Sequence, residues 1–152
     1  MAVGALLLVG AEETESAGAA LAAVLRPGDV VALYGDLGAG KTTLARGMLR
    51  GLGFEEDVPS PTFPIVIPYD APDVALPIWH VDLYRIDDPD DLVELGLDDA
   101  LDGGALLIEW PERMGADLWP QALRLRIERD GDDRRRLTWD APAAWEGRWP
   151  LT

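Results

Sequence analysis

This chain of 152 residues lacks several kinds of side chain, and each absence excludes a kind of chemistry. Without cysteine, it can form neither disulfides nor thiolate metal sites. Without asparagine, it cannot contain the Asn-Lys-x-Asp motif with which GTPases bind guanine. His80 is the only histidine, which excludes a histidine metal cluster. A lone strand histidine is more often packed and hydrogen-bonded than catalytic, so we assign His80 no catalytic role.

Positive charge is also scarce, with 13 lysines and arginines against 28 acidic residues and a formal net charge of -15. This balance disfavours direct binding of nucleic acid through a broad basic surface. The apolar N-terminal run is too short to span a bilayer, and no basic region precedes it as in a signal peptide. We therefore expect a cytoplasmic protein without a membrane segment, monomeric when alone.

The length of the chain predicts one domain, over residues 1–138. Residues 139–152 contain Trp139, Trp145 and Trp149 but no recognisable motif. We expect this C-terminal tail to pack on the domain through its aromatic side chains or to be partly disordered.

The only lysine, Lys41, lies in a segment that matches the phosphate-binding pattern G-x-x-x-x-G-K-[ST] at every fixed position. The pattern is specific when a strand precedes it and a helix follows it. Residues 29–34 predict a buried strand, and residues 42–52 carry apolar side chains at helical spacing, so both conditions are met. The candidate phosphate-binding residues are Gly35, Asp36, Leu37, Gly38, Ala39, Gly40, Lys41, Thr42 and Thr43.

The composition of this loop explains how it would bind a nucleoside triphosphate. Its glycines allow backbone N–H groups to point at phosphate oxygens, and the following helix adds the positive end of its dipole. Lys41 supplies a compact positive charge, and the Thr42 hydroxyl is suited to Mg²⁺.

Glycine, proline and hydrophobic periodicity divide the rest of the chain into short elements. The pattern predicts strands at residues 5–9, 65–69, 77–86 and 105–108, a helix at 12–25, and an acidic helix that starts at Asp88-Pro89 and ends at Gly96. Strands at 123–128 and 134–139 flank a turn and predict a late antiparallel hairpin. We therefore expect an α/β fold of the P-loop NTPase class, with a mainly parallel central sheet flanked by helices.

Two carboxylates associated with predicted strands are candidates for a Mg²⁺ site. Glu109 directly follows the buried run 105–108, which is the position of a Walker B carboxylate, and we predict that it binds Mg²⁺ together with Thr42. Asp82 is the second candidate, either for an outer-shell contact to Mg²⁺ or for orienting the attacking water. For each, the alternative is a carboxylate that only borders a strand. Arginines 134–136 could reach the nucleotide or tRNA, although such a run is more often a solvated hairpin edge.

Further motifs, in the same order and spacing, carry a resemblance to a known family. After the glycine-rich loop come Ser60-Pro-Thr-Phe63, His80-Val-Asp-Leu-Tyr-Arg85, Glu94-Leu-Gly96 and Ile108-Glu-Trp-Pro111. From about residue 12 to residue 113 the chain resembles the TsaE (YjeE) family, ATPases of bacterial tRNA threonylcarbamoyladenosine biosynthesis. The resemblance implies a weak ATPase required by TsaB and TsaD, which place threonylcarbamoyl on adenosine 37 of tRNAs reading ANN codons. It also implies that tRNA is reached through this complex rather than directly.

The resemblance implies roles for individual residues as well. Lys41 and the loop would bind the phosphates of ATP, while Thr42 and Glu109 would bind Mg²⁺. Asp82 would act in catalysis, and Thr14, at the start of the first helix, would lie on the adenine side.

The resemblance places Thr62 in a switch-like segment near the γ-phosphate. Phe63 is followed here by Pro64, where the family often has threonine, and this departure stiffens the segment.

The phosphate-binding pattern by itself leaves two other functions open. A P-loop small-molecule kinase would share the loop but needs an acceptor pocket and usually a mobile lid with arginines. A nucleotide-gated binding module would use ATP binding, with little hydrolysis, to change the segment around Thr62 and its affinity for a partner.

Overall fold

A mixed sheet organises the part of the chain that the computed structural model describes, residues 2–36, 39–56, 58, 66–145 and 147–150. The seven strands of this sheet are β1 Ala2–Val9, β2 Val30–Tyr34, β3 Val66–Tyr69, β4 Ile78–Asp82, β5 Ala105–Glu109, β6 Leu123–Arg129 and β7 Arg134–Ala141. The α-helices are α1 Gly10–Ala22, α2 Lys41–Gly51 and α3 Pro89–Glu94. Short 3₁₀ helices cover Leu97–Leu101, Pro111–Asp117 and Ala143–Trp145. In these ranges no helix has the length and apolar character needed to cross a membrane.

The strand order is β1-β7-β6-β2-β5-β4-β3, and the four strands β6, β2, β5 and β4 form a parallel centre. The pairs β1–β7, β6–β7 and β3–β4 are antiparallel. The parallel centre and the late antiparallel hairpin are thus confirmed, while the antiparallel pairing of β1 with β7 and of β3 with β4 was not predicted. Only residues 70–77 connect β3 to β4, and a parallel crossover needs a dozen or more residues.

The central strands are buried on both faces, and β5 is buried at every position. On the first face, α1 and α2 pack against the sheet, and their core includes Leu21, Leu44 and Leu33. On the second face, α3 and the first two 3₁₀ helices form another core, which includes Leu97 and Ile108. Burial on both faces explains the continuous apolar runs from which these strands were predicted.

The predicted ends of α3 are confirmed. Asp88 is the N-cap, and its side chain accepts a hydrogen bond from the backbone N–H of Asp90 at 3.0 Å. Pro89 is the first helical residue, where its missing N–H costs nothing. Gly96, with a φ of 63°, takes the left-handed conformation that ends the helix.

Near the C-terminus, strand β7 continues past residue 138, so Trp139 belongs to the sheet. Trp145 is fully buried in the core of the first face. The Trp149 ring packs against the same core, and its centroid lies 5.2 Å from the centroid of the Trp139 ring. Aromatic packing therefore holds this segment against the sheet.

Helices α1 and α2 cross at Gly18 and Gly47. A Cβ on Gly47 would collide with the backbone carbonyl of Glu15, and a Cβ on Gly18 would collide with backbone atoms of α2. Close approach of the two backbones places α2, which begins at Lys41, against the sheet.

We expect the Gly47→Ala variant to lose about 1–3 kcal/mol of unfolding free energy, the usual cost of overpacking. The loss should occur although alanine is by itself the better helix former, by roughly 1 kcal/mol. Urea denaturation followed by circular dichroism measures the change, and a variant as stable as the wild type would contradict the close crossing.

Candidate functional site

The loop between β2 and α2 lies at the carboxyl end of the parallel strands. Gly40 is the N-cap of α2 with a φ of 115°, a conformation that favours glycine. A Cβ on Gly35 would lie 2.5 Å from the Ile127 carbonyl oxygen on β6, so this position also requires glycine. No side chain in the described ranges caps α2, which leaves its first N–H groups free to bind an anion. Leu37 and Gly38, also predicted to bind phosphate, lie outside the described residues.

Lys41, the first residue of α2, is 5% exposed, and its Nζ has no hydrogen-bond partner among the described residues. The ammonium lies 3.9 Å from the centroid of the Trp110 ring, a cation–π contact. Burial lowers the pKa of Lys41, while the nearby carboxylates of Glu109, Glu112, Asp82 and Asp36 act in the opposite direction. A buried cation without a hydrogen-bond acceptor is a site prepared for an anion.

Trp110 directly follows β5 and has a left-handed backbone, with a φ of 58°. For a non-glycine residue this conformation costs on the order of 1–3 kcal/mol, so the surroundings must enforce it. The centroid of the Trp110 ring lies 4.9 Å from that of the Tyr84 ring. The same Trp110 ring also contacts the Lys41 ammonium. The strained residue therefore links the lysine to the segment that follows β4.

Glu109 is the last residue of β5 and is 4% exposed. Register pairs it with Leu33 of β2, two residues before the loop begins. His80 on β4 is fully buried, and its Nε2–H donates a hydrogen bond to Glu109 Oε2 at 2.7 Å. His80 is thus a packed, hydrogen-bonded histidine, and it orients the carboxylate predicted to bind a metal.

Asp82 ends β4 and pairs in register with Glu109, so the two predicted carboxylates lie side by side on adjacent strands. Its Oδ1 accepts a hydrogen bond from the Tyr84 backbone N–H at 2.9 Å. Burial raises the pKa of Asp82, against the opposing effect of this hydrogen bond. A carboxylate with a raised pKa is the stronger proton acceptor.

A cavity of about 140 Å³ adjoins the loop and is lined by residues that include Thr14, Gly40, Thr43, Asp133 and Arg135. Thr14 is buried, and its hydroxyl donates a hydrogen bond to the Gly10 carbonyl of α1 at 3.4 Å. Thr14 and Gly40 of the glycine-rich loop thus line the same cavity. The cavity extends from the loop toward the turn between β6 and β7, on the side of β2 opposite to β5 and Glu109.

The structure places most of the predicted site residues at one edge of the sheet. Thr42, half-buried, is the second residue of α2, and the described loop residues Gly35, Asp36, Ala39 and Gly40 precede that helix. Thr62 and the switch-like segment around it lie outside the described residues.

Sequence reasoning missed two contributions to this edge and left a third, that of Arg135, undecided. Trp110 carried a signal, since it follows a strand-end glutamate, but its contact with Lys41 depends on the left-handed backbone. The His80 contact with Glu109 follows from strand pairing that periodicity does not give. Arg135 was one of three adjacent arginines, and only the fold shows that it lines the cavity beside Gly40.

These features define a mixed α/β protein whose glycine-rich loop, buried lysine and strand-end carboxylates share one edge of the sheet. The family model described as "Threonylcarbamoyl adenosine biosynthesis protein TsaE" matches residues 8–137. The chain belongs to the TsaE family.

Individual relatives agree with this assignment. The chain is 43% identical over 134 residues to "tRNA threonylcarbamoyladenosine biosynthesis protein TsaE" of Bacillus subtilis strain 168, covering 88% of this chain and 82% of that protein. It is 44% identical over 126 residues to the protein of the same description from Streptomyces coelicolor, covering 80% and 85%. The crystal structure of Bacillus subtilis YdiB is similar, with a TM-score of 0.77, 39% identity and coverage of 93% of this chain and 88% of that one.

Proposed function

We propose that this protein is a Mg²⁺-dependent ATPase of the P-loop class, acting in the cytoplasm. Its ATP turnover supports threonylcarbamoylation of adenosine 37 in tRNAs reading ANN codons, in a complex with TsaB and TsaD. The proposal rests on family membership for the pathway and on the site for the chemistry. In this proposal the TsaB–TsaD pair, and not this acidic chain, makes the main contact with tRNA.

The observation that carries the chemistry is the buried, unpartnered ammonium of Lys41 at the uncapped N-terminus of α2. A β/γ-phosphate would supply the missing acceptors for Nζ, while the first N–H groups of α2 would bind the same phosphates. The residues present therefore fit a nucleoside triphosphate. Thr14, Thr43 and Arg135 line the space in which the rest of the nucleotide would lie.

Mg²⁺ also fits the donors at this edge of the sheet. The Thr42 hydroxyl and the Glu109 carboxylate are hard oxygen ligands, the kind that Mg²⁺ takes together with phosphate oxygens and water. When bound, the ion would neutralise charge on the phosphates. His80 would hold Glu109 in the orientation needed for this contact.

In hydrolysis, this chain would act through positioning and charge. Lys41 and the α2 amides would stabilise the negative charge that the phosphoryl oxygens carry in the transition state. Asp82 would orient the attacking water and accept its proton, a role that suits its raised pKa. Thr62 keeps its predicted place near the γ-phosphate in this proposal.

The test is ATP turnover by the purified chain, alone and then with TsaB, TsaD and substrate tRNA, with threonylcarbamoyladenosine quantified by mass spectrometry. We expect slow turnover alone, stimulation by the complete mixture, and modified tRNA only when this chain and ATP are present. A binding-competent variant that cannot hydrolyse ATP yet still supports full modification would favour the nucleotide-gated module instead. ATP binding without stimulation, together with a phosphorylated metabolite, would favour the kinase.

Replacing Glu109 with glutamine should raise the Mg²⁺ concentration for half-maximal turnover by at least roughly 10-fold. Mutation of a residue that only orients a metal ligand already lowers metal affinity by about that factor. Glutamine preserves the size of the side chain and can still hydrogen-bond to His80, so the fold should survive. Binding of Mn²⁺ in the presence of ATP, measured by electron paramagnetic resonance, gives a readout independent of turnover.

Glu112→Gln provides the matched control for this substitution. Glu112 is an exposed carboxylate three residues away, and it also acts on the Lys41 charge. Solvent screening limits its influence, so its effect on metal dependence should be much smaller. Equal effects of the two variants would contradict a direct metal contact by Glu109.

A further inference from the structure

The second face of the sheet carries a groove with an apolar floor. Leu92 and Val93 of α3, Leu97, Met114 and Trp119 line a cavity of about 350 Å³. Val93 is 80% exposed, the most exposed large apolar side chain among the described residues. Asp98 and Asp117 also line this cavity. These residues together form the acid-rimmed groove.

Acidic residues predominate in the chain segments that line this groove, although Arg113 directly precedes Met114. Residues 87–102 contain eight of the 28 acidic residues, and no lysine, arginine or histidine occurs between residues 86 and 112. The described acidic side chains of α3 and the following 3₁₀ helix are mostly exposed. Such a rim attracts a basic partner and repels an acidic one, and it speeds association.

The wall of the groove is fixed rather than loose. Trp119 Nε1–H donates a hydrogen bond to Asp98 Oδ1 at 3.0 Å, which ties the indole across the groove. Leu92, Leu97 and Met114 are buried in the core of the second face. The exposed Val93 side chain is therefore carried by well-packed residues, as expected of a preformed binding site.

The groove is also connected to the ATPase site through the chain. The 3₁₀ helix Pro111–Asp117 supplies Met114 and Asp117, and it begins directly after Trp110. Trp110 in turn contacts the Lys41 ammonium. A partner bound in the groove would thus contact the 3₁₀ helix that directly follows Trp110, the residue in contact with Lys41.

We propose that the acid-rimmed groove is the docking surface for a basic segment of a partner protein, an aliphatic or aromatic side chain flanked by arginines or lysines. The inference rests on the proposed function, under which that segment belongs to the TsaB–TsaD pair. It adds which surface of this chain the pair would contact and the charge that the contacting segment would carry. The apolar anchor would pack on Val93, and the flanking cations would pair with the acidic rim.

The test is the affinity of the full chain for purified TsaB–TsaD, measured by isothermal titration calorimetry at two salt concentrations. Val93→Glu places a charge in the apolar lining of the groove. Asp90→Lys with Asp91→Lys reverses two exposed charges on α3, the helix that carries Val93. Each should weaken binding at least tenfold. Glu55→Lys with Glu56→Lys is the matched control, because these exposed residues follow Phe54, which packs on the core of the first face. ATP turnover of each chain alone should equal the wild-type rate, since none of these residues lies in the site.

The outcomes separate this inference from the proposed function. Binding that survives both groove variants, or that falls equally in the control, would overturn the docking surface and leave the proposed function intact. Failure of the wild-type chain to bind the pair would overturn both. Self-association of the wild type that Val93→Glu abolishes, seen by sedimentation, would make a second copy of this chain the occupant and overturn the proposed partner.

Discussion

Replacing Arg148 with alanine is expected to lower the free energy of unfolding by about 3–5 kcal/mol, the usual cost of removing one partner from a buried ion pair. Arg148 and Asp29 are 8% and 10% exposed at their side chains. Two guanidinium nitrogens donate to the two carboxylate oxygens of Asp29, each at 2.7 Å. The variant would leave a buried carboxylate facing an empty space.

Arg148 also holds the C-terminal segment through three further contacts. It donates to the Val24 carbonyl at 2.7 Å and to the Ala144 carbonyl at 3.2 Å. Its guanidinium carbon lies 4.0 Å from the Trp145 ring centroid. Arginine provides this flat, forked geometry and lysine does not, so Arg148→Lys should recover only part of the lost stability.

Guanidinium denaturation followed by circular dichroism measures the effect, and Arg50→Ala is the control because Arg50 is an exposed arginine on α2. The control should change stability by less than about 0.5 kcal/mol. Removing both charges, with Asp29→Asn and Arg148→Met, should cost less than Arg148→Ala alone, since no buried charge is left unpaired. A loss for Arg148→Ala no larger than that of the control would show that the pair does not hold this segment.

The position of Asp29 connects this ion pair to the site. Asp29 immediately precedes β2, and its Oδ2 also accepts the Arg26 backbone N–H at 2.7 Å. Strand β2 then runs through the centre of the sheet to the glycine-rich loop. The C-terminal segment thus fixes the start of the strand whose other end presents the loop.

Local chemistry made much of the fold predictable. The start and end of α3 followed from Asp88, Pro89 and Gly96, whose preferences act within one turn. The arrangement of the sheet margins could not be read in this way, because pairing of β1 with β7 joins residues more than 120 positions apart. Periodicity identifies a strand but not its neighbour.

In the candidate site, too, the features set by local sequence were predictable and those set by strand pairing or backbone conformation were not. The loop and Lys41 form a contiguous motif whose spacing implies its geometry, and Glu109 was predicted because it directly follows an apolar run. The contact of His80 with Glu109 needed the parallel pairing of β4 with β5. The contact of Trp110 with Lys41 needed a backbone conformation that tryptophan rarely adopts.

Replacing Lys41 with methionine is expected to lower ATP turnover by roughly 100- to 1,000-fold, the cost typical of removing one preorganised group that stabilises transition-state charge. Methionine keeps an unbranched side chain that can pack on the Trp110 ring. The same substitution should leave the thermal unfolding midpoint unchanged or higher. Because burial lowers the pKa of Lys41, burying its charged form opposes folding, and removing the charge removes that cost.

Two measurements on Lys41→Met separate a functional lysine from a structural one. Thermal unfolding without nucleotide should show no loss of stability, and addition of Mg²⁺ and ATP should raise the midpoint of the wild type but not of the variant. Lys41→Arg, which keeps a buried charge, should not share the gain in stability. A Lys41→Met protein that melts well below the wild type would make the contact with Trp110 structural, and one that retains wild-type turnover would exclude Lys41 from the chemistry.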